Sequence, residues 1–156
     1  MTRTPTFPIR STAFAALLLA ALLAGCASAD LNRKNEKLDK SLSIFNKQFE
    51  SKMTDNVLPM IHKDAREKFA LDSLEFRERV TFFETTLIDF RYYKDDKEAE
   101  LTADGPEEGF NRAVAKIRYR FVTLPSNQVR TAIVEQEWLY EGEDWFVKPK
   151  VAPFLK

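Results

Sequence analysis

Three residues carry most of the chemistry this 156-residue chain could perform: its only cysteine, its only histidine and one aspartate in an alternating stretch. Cys26 closes the stretch Leu23-Ala24-Gly25-Cys26. A lone thiol forms no disulfide within its own chain, and in an oxidising compartment it is safest when covalently used up. His62 would need a carboxylate to orient its ring before acting as a general base, and Asp64, two positions on, points to a different side if both sit in one helix. His62 is therefore read as a surface or partly packed side chain. One histidine and one cysteine without a ligand cluster give no zinc centre. No Gly-x-Ser-x-Gly, phosphate loop or dinucleotide fingerprint occurs. Asp89 is the third candidate. Ile88, Phe90 and Tyr92 alternate with Asp89, Arg91 and Tyr93, which turns Asp89 outward beside Arg91. A bulge at this point would swap the faces. No catalytic residue, metal or cofactor is assigned.

The elements that must hold these residues begin after an N-terminal leader. Arg3 and Arg10 precede an uncharged apolar run from Ala13 to Ala24. That is the layout of a signal peptide, too short for a spanning helix of about 20 apolar residues. The chain then divides into this leader at 1–25, a short tether at 26–30 and a single domain at 31–156. Basic and acidic residues number 24 each, and residues 1–25 hold two of the former and none of the latter, so the remainder carries about −2. That charge gives no footprint for nucleic acid. Of 13 Phe, four Tyr and two Trp, only Phe7 and Phe14 fall in the leader, so the domain can fill an aromatic core.

Leu31, Leu38, Leu42, Phe45, Phe49 and Met53 recur at helical spacing and predict an amphipathic helix ending before Pro59. Its first turns carry Arg33, Lys34, Lys37 and Lys40 against Glu36 and Asp39. A basic face next to a membrane anchor could lie on anionic headgroups, although a solvated helix face is the commoner use of lysine. A second short helix is expected over 58–69, and a third from a cap at Asp72 or Ser73 through Phe83. Strands follow. The first is read from Ile88, running on as far as Leu101, with a turn region at 104–109. The second alternates Ala113, Ala115, Ile117, Tyr119 and Phe121 with Lys116, Arg118 and Arg120. The third spans Val129–Tyr140 and the fourth Trp145–Lys150.

Helices first and hairpins afterwards predict an α+β domain, its helices packed on one face of a curved four-stranded antiparallel sheet. Tyr92, Tyr119, Gln136 and Trp138 fall on the inward rows and are the candidate cleft-lining residues. On the opposite face Lys116, Arg118 and Arg120 are expected to meet Glu135 and Glu137. Ile133 and Phe146 on that same face hint at a homodimer.

Two resemblances add to this reading. Leu23-Ala24-Gly25-Cys26 resembles the lipobox of bacterial lipoprotein precursors. It implies diacylglycerol on the Cys26 thiol, cleavage before it, acylation of the freed amine and a lipid anchor in the membrane. Ala27, where Asp would retain such proteins at the inner membrane, implies the periplasmic face of the outer membrane. Val134-Glu135-Gln136-Glu137-Trp138-Leu139-Tyr140, an acidic glycine turn and Trp145-Phe146-Val147 resemble the final hairpin of nuclear transport factor 2-like domains. That superfamily implies a cystatin-like cone over about Leu31–Lys150. It hosts both catalysts and binders. The expected function is a non-catalytic binding or interaction module that takes a small apolar ligand or an envelope protein. The alternative is a small enzyme resembling SnoaL-type cyclases or isomerases, in which Asp89 would be the tempting counterpart of the pocket aspartate.

Overall fold

The computed structural model describes residues 33–103 and 105–156, so the leader, Cys26 and the expected tether lie outside the described residues. Residues 37–156 cluster as one unit. Helix α1 covers 33–50 and buries Leu38, Phe45 and Phe49, as their spacing requires. It stops a turn earlier than the apolar pattern implied. Lys52 takes a φ of 61° and Met53 is 53% exposed, so Met53 belongs to a loop and not to the apolar stripe. Helix α2 (Thr54–Val57) and a 3-10 turn (Leu58–Met60) lead to Ile61, which bridges in parallel to Val147.

One long helix, α3 (Lys63–Arg79), replaces the two that were expected. The residues read as a cap do other work. Asp72 receives Lys68 Nζ at 2.7 Å one turn back, and Ser73 Oγ donates to the Ala70 carbonyl at 2.9 Å, so both groups are satisfied inside a continuing helix. Phe69 and Phe76 are buried by it. The chain turns extended at Val80, where the β-favouring run Val80-Thr81-Phe82-Phe83 begins.

Strand β1 (Val80–Lys94) therefore starts eight residues before Ile88. Two register shifts interrupt its pairing, between Phe82 and Glu84 and between Leu87 and Asp89. Each inserts one residue without an opposite number, Phe83 and Ile88. Ile88, expected on the inward row, is thus a bulged residue and 47% exposed. Phe90 and Tyr92 keep the inward phase, opposite Ala115 and Ala113.

The sheet has five strands, one more than expected, in the antiparallel order β2-β1-β5-β6-β7. The extra strand is β2 (Lys97–Glu98), which folds back on β1 through Asp95 and Asp96 at φ 48° and 65°. Aspartate tolerates that left-handed geometry, and two such residues suit a tight hairpin. A separate pair, β3 (Leu101–Thr102) and β4 (Gly105–Pro106), occupies part of the expected turn region. Strands β5 (Arg112–Thr123), β6 (Arg130–Glu141) and β7 (Asp144–Lys148) match the alternation read for them. A last turn, α4 (Ala152–Leu155), follows.

The helices supply rings to one face of the sheet. Phe45 of α1 meets Trp138 edge-on, Phe49 stacks on Phe76 of α3, and Phe82 of β1 lies 5.2 Å from Tyr119. Phe154 of α4 completes this core against Phe49, Phe76, Phe82, Tyr119 and Phe121. Each such pair contributes ~0.5 to 1.5 kcal/mol beyond its area burial.

Candidate functional site

The inward rows place three of the four candidate residues beneath α1. Trp138 is fully buried, and Tyr119 and Gln136 are almost so. Gln136 Nε2 donates to Asn46 Oδ1 at 2.7 Å and to the Tyr119 hydroxyl at 2.8 Å, while that hydroxyl donates to Asn46 Oδ1 at 3.1 Å. The triangle is neutral. Burial, reinforced by the charge of Glu50, pushes the Tyr119 phenol well above its ordinary range, and the bond from Gln136 opposes this only partly. Burial also raises the Glu50 carboxyl. A phenol held protonated between two amides fastens a helix to a sheet. Among the described residues, Gln136 Oε1 and Trp138 Nε1 have no hydrogen-bond partner.

Tyr92 stands apart from this triangle. It is half-buried, with Phe90 at 4.9 Å and Phe110 at 5.0 Å, both edge-on. Burial, followed by the charge of Asp39, raises its phenol. The structure thus joins Tyr119 and Gln136 directly, sets Trp138 beside them in the same core, and leaves Tyr92 in a second aromatic group with Phe110 and Trp145.

His62 differs from its reading. It is not inside the helix but caps it: the backbone is extended, Nδ1 accepts the Asp64 N–H at 3.4 Å, and the Asp64 carboxylate lies 3.4 Å from the same nitrogen. Asp64 is therefore within reach, since the cap residue sits outside the helical wheel on which the two would diverge. On the other side Nε2 lies 3.2 Å from Glu141 Oε1, across 79 positions of chain. The imidazole is 4% exposed. No local spacing could have shown Glu141, because the contact depends on the β6–β7 hairpin lying against the start of α3. The backbone fixes the same junction, with His62 N–H donating to the Val147 carbonyl at 2.9 Å. Both ring nitrogens are turned to protein groups, and the arrangement ties helix to hairpin.

Asp89 lies outward, where it accepts from the Phe90 N–H at 2.9 Å and pairs with Arg91 at 3.4 Å. The adjacent bulge falls on Ile88 and leaves Asp89 opposite Lys116. The outer face carries ion pairs, but among the described residues none joins Lys116, Arg118 or Arg120 to Glu135 or Glu137 as expected. Arg118 and Arg120 both reach Glu84 of β1, at 3.3 and 2.9 Å. The bond from Arg120 holds the Glu84 carboxyl below the usual carboxylate range. Glu135 instead takes Arg91 at 3.2 Å, and Glu137 takes Arg112 at 3.4 Å. The bulge at Phe83 brings Glu84 level with Arg120, a register no sequence period contains. Ile133 is 56% exposed on this face.

At the β1–β2 turn a polar groove of about 390 Å³ opens between Asp95, Asp96, Asn111, Arg112, Tyr140 and Glu141. The Arg112 guanidinium lies 4.0 Å above the Tyr93 ring and 3.3 Å from Asp96. Sequence reasoning assigned nothing here.

No protein-family model matches this sequence, and no curated protein does. Among solved structures, the crystal structure of the intermembrane space region of chloroplast protein ARC6 is similar at TM-score 0.31 and 17% identity, over 60% of this chain and 73% of that one. A likeness at that level transfers neither fold nor function.

Proposed function

We propose that this protein is a cell-envelope lipoprotein, held by acyl chains on Cys26 to the periplasmic face of the outer membrane. Its domain is a nuclear transport factor 2-like module that wraps its sheet as a cystatin-like cone and acts by binding, not by catalysis. The anchor reading rests on Leu23-Ala24-Gly25-Cys26 at the end of an apolar leader. One acyl methylene contributes about 0.8 kcal/mol, so two or three chains hold a protein durably. The observation that carries the binding reading is the use made of His62. Its imidazole is 4% exposed and both nitrogens are engaged by Glu141 and Asp64 of its own chain, which supports a structural role for the ring.

The test is complementation. A strain deleted for the gene is scored for an envelope phenotype such as detergent sensitivity, and variants are returned to it. His62→Gln and Asp89→Asn, accumulated at normal levels and correctly localised, should rescue fully. Failure of either to rescue under those conditions overturns the binding reading in favour of catalysis.

A further inference from the structure

Helix α1 sorts its side chains by direction. Between Lys37 and Glu50 its outward side displays Lys37, Lys40, Ser43, Ile44 and Lys47, with the exposed carboxylate of Asp39 beyond one edge. At roughly 100° per residue these positions fall within one third of the helical circumference, opposite Leu38, Phe45 and Phe49. Asp39 and Glu50 are turned roughly 80–100° to one flank. One turn upstream, Arg33 and Glu36 add one exposed charge of each sign. Lys37 is engaged by the β6–β7 turn, donating to the Glu143 carbonyl at 2.8 Å and pairing with Asp144 at 3.8 Å. Lys40 and Lys47 make no ion pair with any described residue. Between them, one turn from each, Ile44 is 42% exposed.

Basic residues around one exposed aliphatic, on a helix lying flat over its own domain, match an anionic bilayer surface: ammonium groups meet phosphates and the aliphatic enters the interface. The chain supplies the proximity. Six residues lie between Cys26 and the start of α1 at residue 33, so the two are at most ~24 Å apart along the chain. We infer that the Lys40-Ile44-Lys47 face of α1 docks on the anionic phospholipid headgroups of the membrane that holds the anchor. The inference rests on the lipoprotein reading. Docking presses α1 against the bilayer and turns the charged outer face of the sheet away from it, toward the aqueous side.

The test uses the full-length acylated protein, purified from membranes and reconstituted into vesicles of phosphatidylcholine alone or with phosphatidylglycerol. An impermeant amine reagent is applied, and mass spectrometry reads each lysine. Flotation is measured on the same samples. Lys40 and Lys47 should label about five-fold more slowly on the anionic vesicles, since a basic residue at such a surface gains that factor. Lys116 should be unchanged, and the difference should vanish in 1 M salt. In Lys40→Glu, Lys47 should lose its protection while flotation persists. Equal labelling on both vesicles by protein that floats overturns the docking and leaves the anchor standing. Protein that does not float overturns the anchor, and with it the docking.

Discussion

The side-chain amide of Gln136 on β6 reaches Oδ1 of Asn46 on α1 at 2.7 Å, joining residues 90 positions apart. That single acceptor also takes the Tyr119 hydroxyl. Asn46→Ala should therefore strand two buried donors and cost ~1–3 kcal/mol of stability, measured by urea denaturation. Combined with Gln136→Ala, the loss should fall short of the sum of the two, because both substitutions break one network. Strict additivity would mean that the triangle contributes nothing cooperative.

Trp138, fully buried against Phe45, should behave as core. Trp138→Ala is expected to cost ~3–5 kcal/mol. Lys116→Ala, on the opposite face of the sheet, should change stability by no more than ~0.5 kcal/mol. Denaturant midpoints of the two variants compare them directly.

Tyr119 gives the fold an alkaline limit. Its phenol is raised by burial above the ordinary value of 10.0, so the folded state keeps a proton that the unfolded chain releases. Below that ordinary value the contribution is fully present, and it is lost as pH rises from there toward the folded value. The difference in urea midpoint between pH 8 and pH 11 should be smaller in Tyr119→Phe than in the parent, since lysine titration is common to both. An equal loss would assign the alkaline sensitivity elsewhere.

Cys26→Ser should abolish incorporation of labelled fatty acid and leave the leader uncleaved, because thiol alkylation precedes processing in proteins that carry this motif. Gel mobility and fractionation read both effects. A Cys26→Ser protein of mature size in the membrane fraction would refute the anchor.

What the sequence made legible was whatever has a period. Leu38, Phe45 and Phe49 announced α1, and the alternation from Ala113 to Phe121 announced β5 and its buried face. The α+β order followed from these. Features without a period were not legible. Phe83 and Ile88 look like any other strand residues until a partner strand skips them. Asp72 and Ser73 are ordinary cap residues whose groups happen to be satisfied within a longer helix. The two-residue strand β2 depends on Asp95 and Asp96 accepting a left-handed turn, which composition permits but does not demand. For the candidate site, Tyr119, Gln136 and Trp138 were placed inward correctly by alternation. Their polar partner Asn46 was hidden, because it comes from the flank of a helix whose visible stripe is apolar. Glu141 escaped notice beside His62 for the same cause: long-range pairing leaves no local trace.

Phe154 is where separate elements meet. Its ring packs against Phe49 of α1, Phe76 of α3, Phe82 of β1 and both Tyr119 and Phe121 of β5, and its carbonyl receives the Thr123 hydroxyl at 2.7 Å. A single ring on a four-residue helix is thus shared by two helices and two strands, so a cavity opened there would loosen all four at once.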